Sequence, residues 1–94
     1  MSEAYSVPDE VLTAHLEGEA VLLHMETKDY FRLNATAAIV WKGLERGKDR
    51  AALLADLLAA FEVDEATAGA ELDRLLGELA TRRLVLPAGG GGAP

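Results

Sequence analysis

The chain has 94 residues, which allows one small domain. Half of the residues are hydrophobic and 27% are charged, a globular balance rather than a disordered one. Sixteen acids against nine bases give a net charge of -7, the opposite of what phosphate neutralisation asks of a nucleic-acid-binding domain. With no cysteine, disulfides, zinc–thiolate centres and a thiol nucleophile are excluded. Apolar runs reach only about five residues, too short for a membrane-spanning helix or a signal peptide, so a cytoplasmic protein is the simplest reading.

Residues 1–7 are polar and without period, and read as a disordered lead-in ended by Pro8. Residues 88–94 are glycine-rich, four glycines in seven, and read as a disordered tail that buries too little apolar surface to offset its ordering entropy. The folded domain is then residues 8–87. Its first part reads as a hairpin turning at Gly18-Glu19, with glycine at the first loop position of a II′ turn. That turn sets Leu16 opposite Val21, Ala14 opposite Leu23 and Leu12 opposite Met25, six apolar residues on one face, expected to be the buried one. Thr13, His15, Leu22 and His24 would point outward. A third strand at Tyr30–Leu33, after a three-residue loop, puts Phe31 opposite Met25 and Leu33 opposite Leu23, with Tyr30 and Arg32 outward.

Asn34 is placed to cap a helix over about 35–46 that carries Ala37, Val40, Trp41 and Leu44 on one stripe and stops at Gly47. Asp49 caps a second helix with Leu53, Leu54, Leu57, Leu58 and Phe61. Asp64 caps a third, about 65–82, whose buried centre is Ala68, Leu72, Leu75 and Leu79. Leu84-Val85-Leu86 closes the domain as a short extended segment. Three strands followed by three helices make an α+β fold, a three-stranded antiparallel sheet with a winged helix-turn-helix-like helix trio.

The inventory of reactive groups is thin. His15 and His24 share a face without a third ligand at metal-binding spacing, so no metal site is expected. Ser2 and Ser6, the two serines, lie in the lead-in where nothing holds them against a base. The carboxylates are explained by caps and solvated faces, and the tail glycines lack the strand-to-helix setting of a phosphate loop. The cluster Lys42, Arg46, Lys48 and Arg50 is interrupted by Glu45 and Asp49 and reads as a solvated helix end. No catalytic residue, cofactor or metal is expected, and a binding module is. The third strand, Tyr30-Phe31-Arg32-Leu33, is an open edge with one charge and no proline, which invites an extended peptide. On the third helix one flank of the core stripe is charged (Glu71, Glu78, Arg82). The other holds Gly69, Asp73, Leu76 and Ala80, and beside Leu72 reads as a shallow groove floor. The alternative for that flank is that Leu76 widens the core and Gly69 admits another helix.

The run Gly18-Glu19-Ala20-Val21-Leu22-Leu23, then Glu26 to Asn34, then Ile39-Val40-Trp41, resembles the PqqD family, named for a protein of pyrroloquinoline quinone synthesis. Leucines at 72–79 and Leu84-Val85 fit the same likeness, which covers residues 8–86. Lys28 stands where members often have glycine, and the proline-glutamate-glycine signature of the quinone-pathway protein is missing. The resemblance implies a precursor-peptide recognition element of ribosomally made, post-translationally modified peptides, of the standalone type found in lasso-peptide clusters. Its partners would be the leader segment of a precursor peptide, added as a strand beside the third strand, and a modifying enzyme or leader peptidase. The peptide-binding residues expected are Tyr30, Phe31, Arg32, Leu33, Gly69, Leu72, Asp73, Leu76 and Ala80. The rival readings are a winged-helix DNA-binding regulator, and an adaptor that self-associates through its edge strand. Neither nucleic acid nor membrane is an expected partner.

Overall fold

A computed structural model describes residues 4–88. The order is β1 (Ala4–Ser6), β2 (Val11–Leu16), β3 (Glu19–His24), β4 (Asp29–Leu33), α1 (Ala35–Glu45), α2 (Arg50–Ala60), α3 (Glu65–Thr81) and β5 (Leu86–Ala88). Strands β2, β3 and β4 form an antiparallel sheet in that order, and the three helices follow it directly. This is the α+β arrangement of three strands and three helices expected from the sequence.

Each helix starts where a short polar side chain satisfies an orphan backbone donor. The Ala37 N–H donates to Asn34 Oδ1 at 2.9 Å, the Ala52 N–H to Asp49 Oδ1 at 2.9 Å, and the Thr67 N–H to Asp64 Oδ1 at 3.1 Å. Helix α1 ends as the chain enters the left-handed conformation at Gly47 (φ 78°), which costs a glycine little. Trp41, Leu44, Leu53, Leu72 and Leu84 are fully buried in one core between the helices and the inner face of the sheet. Helices α1 and α2 meet closely at Gly43, where a Cβ would run into the Leu53 side chain of α2.

The sheet departs from expectation in one systematic way. The hairpin turns at Glu17-Gly18, so that Leu16 pairs with Glu19, Ala14 with Val21 and Leu12 with Leu23. The face packed on the helices is the other one. Val11, Ala20, Leu22 and His24 are buried, whereas Leu12, Leu16 and Met25 are exposed. Two polar contacts tie this inner face to α1: Trp41 Nε1–H donates to Thr13 Oγ1 at 2.8 Å, and His15 Nε2 lies 2.9 Å from Glu45 Oε1. His24, expected in solvent, is buried with its Nδ1 facing the Glu26 N–H at 3.3 Å. Strand β4 nevertheless has Phe31 and Leu33 inward and Tyr30 and Arg32 outward, as expected. Its loop has four residues rather than three, and that change of parity offsets the reversal of β3. Phe31 therefore pairs with Leu22 and Leu33 with Ala20.

Residues 4–6, read from the sequence as part of the disordered lead-in, form a strand instead. Ala4, Tyr5 and Ser6 pair with Ala88, Pro87 and Leu86, and Tyr5 packs against the core. Three-residue strands give no period to detect, and their partner is 80 residues away in the chain. Ala88, assigned to the tail, is the last residue of β5; residues 1–3 and 89–94 lie outside the described residues.

Candidate peptide-binding site

Within the described residues β4 pairs with β3 alone, so its outer row of backbone groups has no strand partner. Strand β2 is the opposite edge, and the two differ in what stands beside them. Next to β4 the half-buried Phe31 ring lies under the guanidinium of Arg82, which follows α3, at 5.2 Å from the ring centroid. That geometry falls in cation–π range. Just beyond, a hollow of about 140 Å³ runs between Asn34, Thr36 and Ala37 on one side and Glu71, Arg74, Leu75 and Glu78 of α3 on the other. It is smaller than the roughly 300–1,000 Å³ of small-molecule pockets and suits an amino-acid side chain.

The wall of this hollow is ionic at its rim. Arg74 donates to Glu71 and lies 3.5 Å from Glu78, an i−3 and i+4 arrangement along one helix face. The hydrogen bond from Arg74, with its positive charge, holds the Glu71 carboxyl below the usual range, and the same bond raises Arg74. Leu75 supplies the apolar base of the wall.

The expected site residues divide between this place and another. Tyr30, Phe31, Arg32 and Leu33 do form the edge strand. Tyr30 is 73% exposed on the outer face, Arg32 is held to Glu19 at 2.9 Å beside it, and Leu33 is buried. The α3 residues expected to floor the groove are on the opposite flank of that helix. Asp73 accepts two hydrogen bonds from Arg50 at the start of α2, at 2.6 and 3.0 Å. These bonds pull its carboxyl below the ordinary range. A Cβ at Gly69 would meet the same Arg50 guanidinium at 3.4 Å. Leu72 and Leu76 are buried in the core and Ala80 is partly buried against it. On this flank Leu76 widens the core and Gly69 faces the Arg50 side chain. Glu71, Arg74, Leu75 and Glu78 line the hollow with the start of α1, and Arg82 covers Phe31 of β4. Their signal was present: at ~100° per residue Glu71, Arg74, Glu78 and Arg82 lie on the far side of the 72/75/79 stripe from Gly69 and Asp73.

A larger hollow of about 350 Å³ between α1 and α2 includes Lys42, Arg46 and Lys48. Lys48 donates to Asp56 there at 2.7 Å, and no strand edge borders it. Among the described residues no group of three histidine, aspartate or glutamate side chains converges on a metal position, and no helix is long and apolar enough to cross a membrane.

Residues 19–85 match the family described as coenzyme PQQ synthesis protein D (PqqD). No curated protein matches significantly. Among solved structures, TbiB1 in complex with the TbiA(beta) leader peptide is 34% identical, with a TM-score of 0.81 over 89% of this chain and 95% of that one. A lasso peptide synthetase B1 complexed with the leader peptide is 26% identical, with a TM-score of 0.79 over 88% of this chain and 98% of that one. The glycine common in this family at the position of Lys28 has a physical reason here, since Lys28 adopts φ 65°, where a Cβ is costly. PqqD-like domains are non-catalytic recognition elements. On the extent of both the sequence match and the structural likeness, the chain belongs to the PqqD family.

Proposed function

We propose that the chain binds the leader segment of a ribosomally made precursor peptide as a fourth strand along β4 and delivers it to a modifying enzyme or leader peptidase. The observation that carries this reading is an unpaired strand edge followed directly, from Asn34 on, by a hollow of side-chain size walled by α3. The two solved leader-peptide complexes of the same fold support it. An antiparallel partner along Tyr30–Leu33 would make roughly four backbone hydrogen bonds, each worth about 0.5–1.5 kcal/mol net. Apolar leader side chains seated against Phe31 and Leu75 add about 1.5–3 kcal/mol apiece when fully buried. Ordering a flexible leader costs about 2–5 kcal/mol. With two such side chains the balance is about 5 kcal/mol at the middle of these ranges and about 10 at their top, a Kd from about 0.2 mM down to submicromolar, with the seated side chains setting specificity. Leu72 and Leu76 act from beneath, as the packing that holds α3 in place.

Both β2 and β4 are edges, so the decisive experiment is the location of protection. Amide hydrogen exchange with and without a synthetic leader peptide should slow at residues 29–33 and leave residues 11–16 unchanged. Protection confined to β2, or none at β4 under saturating peptide, would refute the assignment.

A further inference from the structure

The outer face of the sheet, turned away from the helices, is more apolar than the face that forms the core. Leu12, Leu16, Val21, Leu23, Met25 and Tyr30 project there, whereas the inner face spends positions on Thr13, His15 and His24. Four of these six are among the exposed large hydrophobic residues, at 44–73% exposure. Leu12, Leu23 and Tyr30 form one continuous row across all three strands. The charges within the face, Arg32 and Glu19, neutralise each other at 2.9 Å. Folding of this chain does not need such a face, since the core lies on the other side.

We infer that this outer face docks the enzyme that acts on the precursor peptide, through an apolar, uncharged patch on that enzyme. The inference rests on the leader-binding reading for the identity of the partner. A strand added at β4 would extend the same sheet and continue the face next to Tyr30, so one enzyme surface would touch the domain and the bound leader together. Charge argues for this occupant over a second copy, because two copies would each bring a net charge of -7 to the contact. The four large side chains expose roughly 400 Å², and a specific stable interface buries roughly 1,200–2,000 Å² in total. An enzyme reaching across the face and the leader strand gains the missing area, and its grip becomes leader-dependent.

The test uses the full chain carrying Leu12→Glu and Leu16→Glu, both half-exposed on the strand remote from β4. Biolayer interferometry against the purified modifying enzyme or leader peptidase that acts on the precursor, with leader peptide present, should show affinity reduced about tenfold or more. Leader affinity by fluorescence polarisation should stay unchanged, as should thermal unfolding by circular dichroism. Met25→Lys serves as an independent single variant, should the double one not fold. Undiminished enzyme affinity overturns the inference. So does a wild-type dimer in sedimentation velocity at micromolar concentration that the double substitution dissolves, because the occupant is then a second copy. A wild-type chain that fails to bind leader sinks the leader-binding reading alone, and docking is then judged on the enzyme without leader.

Discussion

Replacing Phe31 by alanine separates the edge-and-hollow site from the general architecture. The ring is half-buried, pairs across the sheet with Leu22 and carries Arg82 at 5.2 Å from its centroid. Truncating a fully buried phenylalanine costs about 3–5 kcal/mol, so half-burial sets the loss in the free chain near 2 kcal/mol, with the Arg82 contact adding about 0.5–1. A domain with a typical stability of about 5–15 kcal/mol survives that. The leader loses more selectively. A seated apolar side chain that gains about 1.5–3 kcal/mol when enclosed would keep roughly half of it with one wall gone, which is about a three- to tenfold rise in Kd. Titration of a fluorescently labelled leader peptide, followed by polarisation, measures this directly, with Leu58→Ala on α2 as a surface control expected to bind normally. Equal Kd for Phe31→Ala and the unmodified chain, at temperatures where both are folded, would refute the placement of the seat.

Two further outcomes follow from contacts away from the strand edge. Gly43→Ala should destabilise the fold by about 1–3 kcal/mol in urea titrations, because the added methyl meets the Leu53 side chain and Leu53 is fully buried without room to swing away. Acid should weaken the fold through Asp64, Glu71 and Asp73, whose carboxyls are held low by bonds from Thr67, Arg74 and Arg50 respectively. Because the folded-state values are the lower ones, their stabilisation is complete above the ordinary values of 3.8 and 4.5 and is lost as pH falls below them. Thermal melts should hold steady from pH 7 to about 5 and decline below, with a smaller decline in Asp73→Asn. The same variant should bind leader normally, since Asp73 is engaged by Arg50.

What the sequence disclosed and what it concealed have separate physical origins. The helices were legible to within a residue because their starts are set by local chemistry, an Asn or Asp whose side chain reaches a donor three residues on. The sheet faces were not, because hydrophobic alternation says which residues share a face and not which face the helices cover. The more apolar set was the natural choice for the core. It lost because Thr13 and His15 on the other set are met by Trp41 and Glu45 of α1, partners that lie 28 and 30 residues further on. The flank of α3 has a related difficulty: the pattern of Gly69, Leu72, Asp73, Leu76 and Ala80 suits a groove floor, and it does not disclose that Asp73 is bonded to Arg50, 23 residues earlier, or that Leu72 and Leu76 lie in the core. The edge strand itself was readable, since four residues without proline and with one charge describe a row of backbone left open.

The clasp between β1 and β5 has an architectural consequence. Antiparallel pairing of Ala4 with Ala88 brings the two ends of the described chain side by side. A domain or tag joined directly at Ala4 or at Ala88 would leave from the same spot, so swapping the point of attachment should alter its reach very little. Fusions in both orders, made at these two residues with equal linkers, would therefore carry their cargo to nearly the same distance from β4.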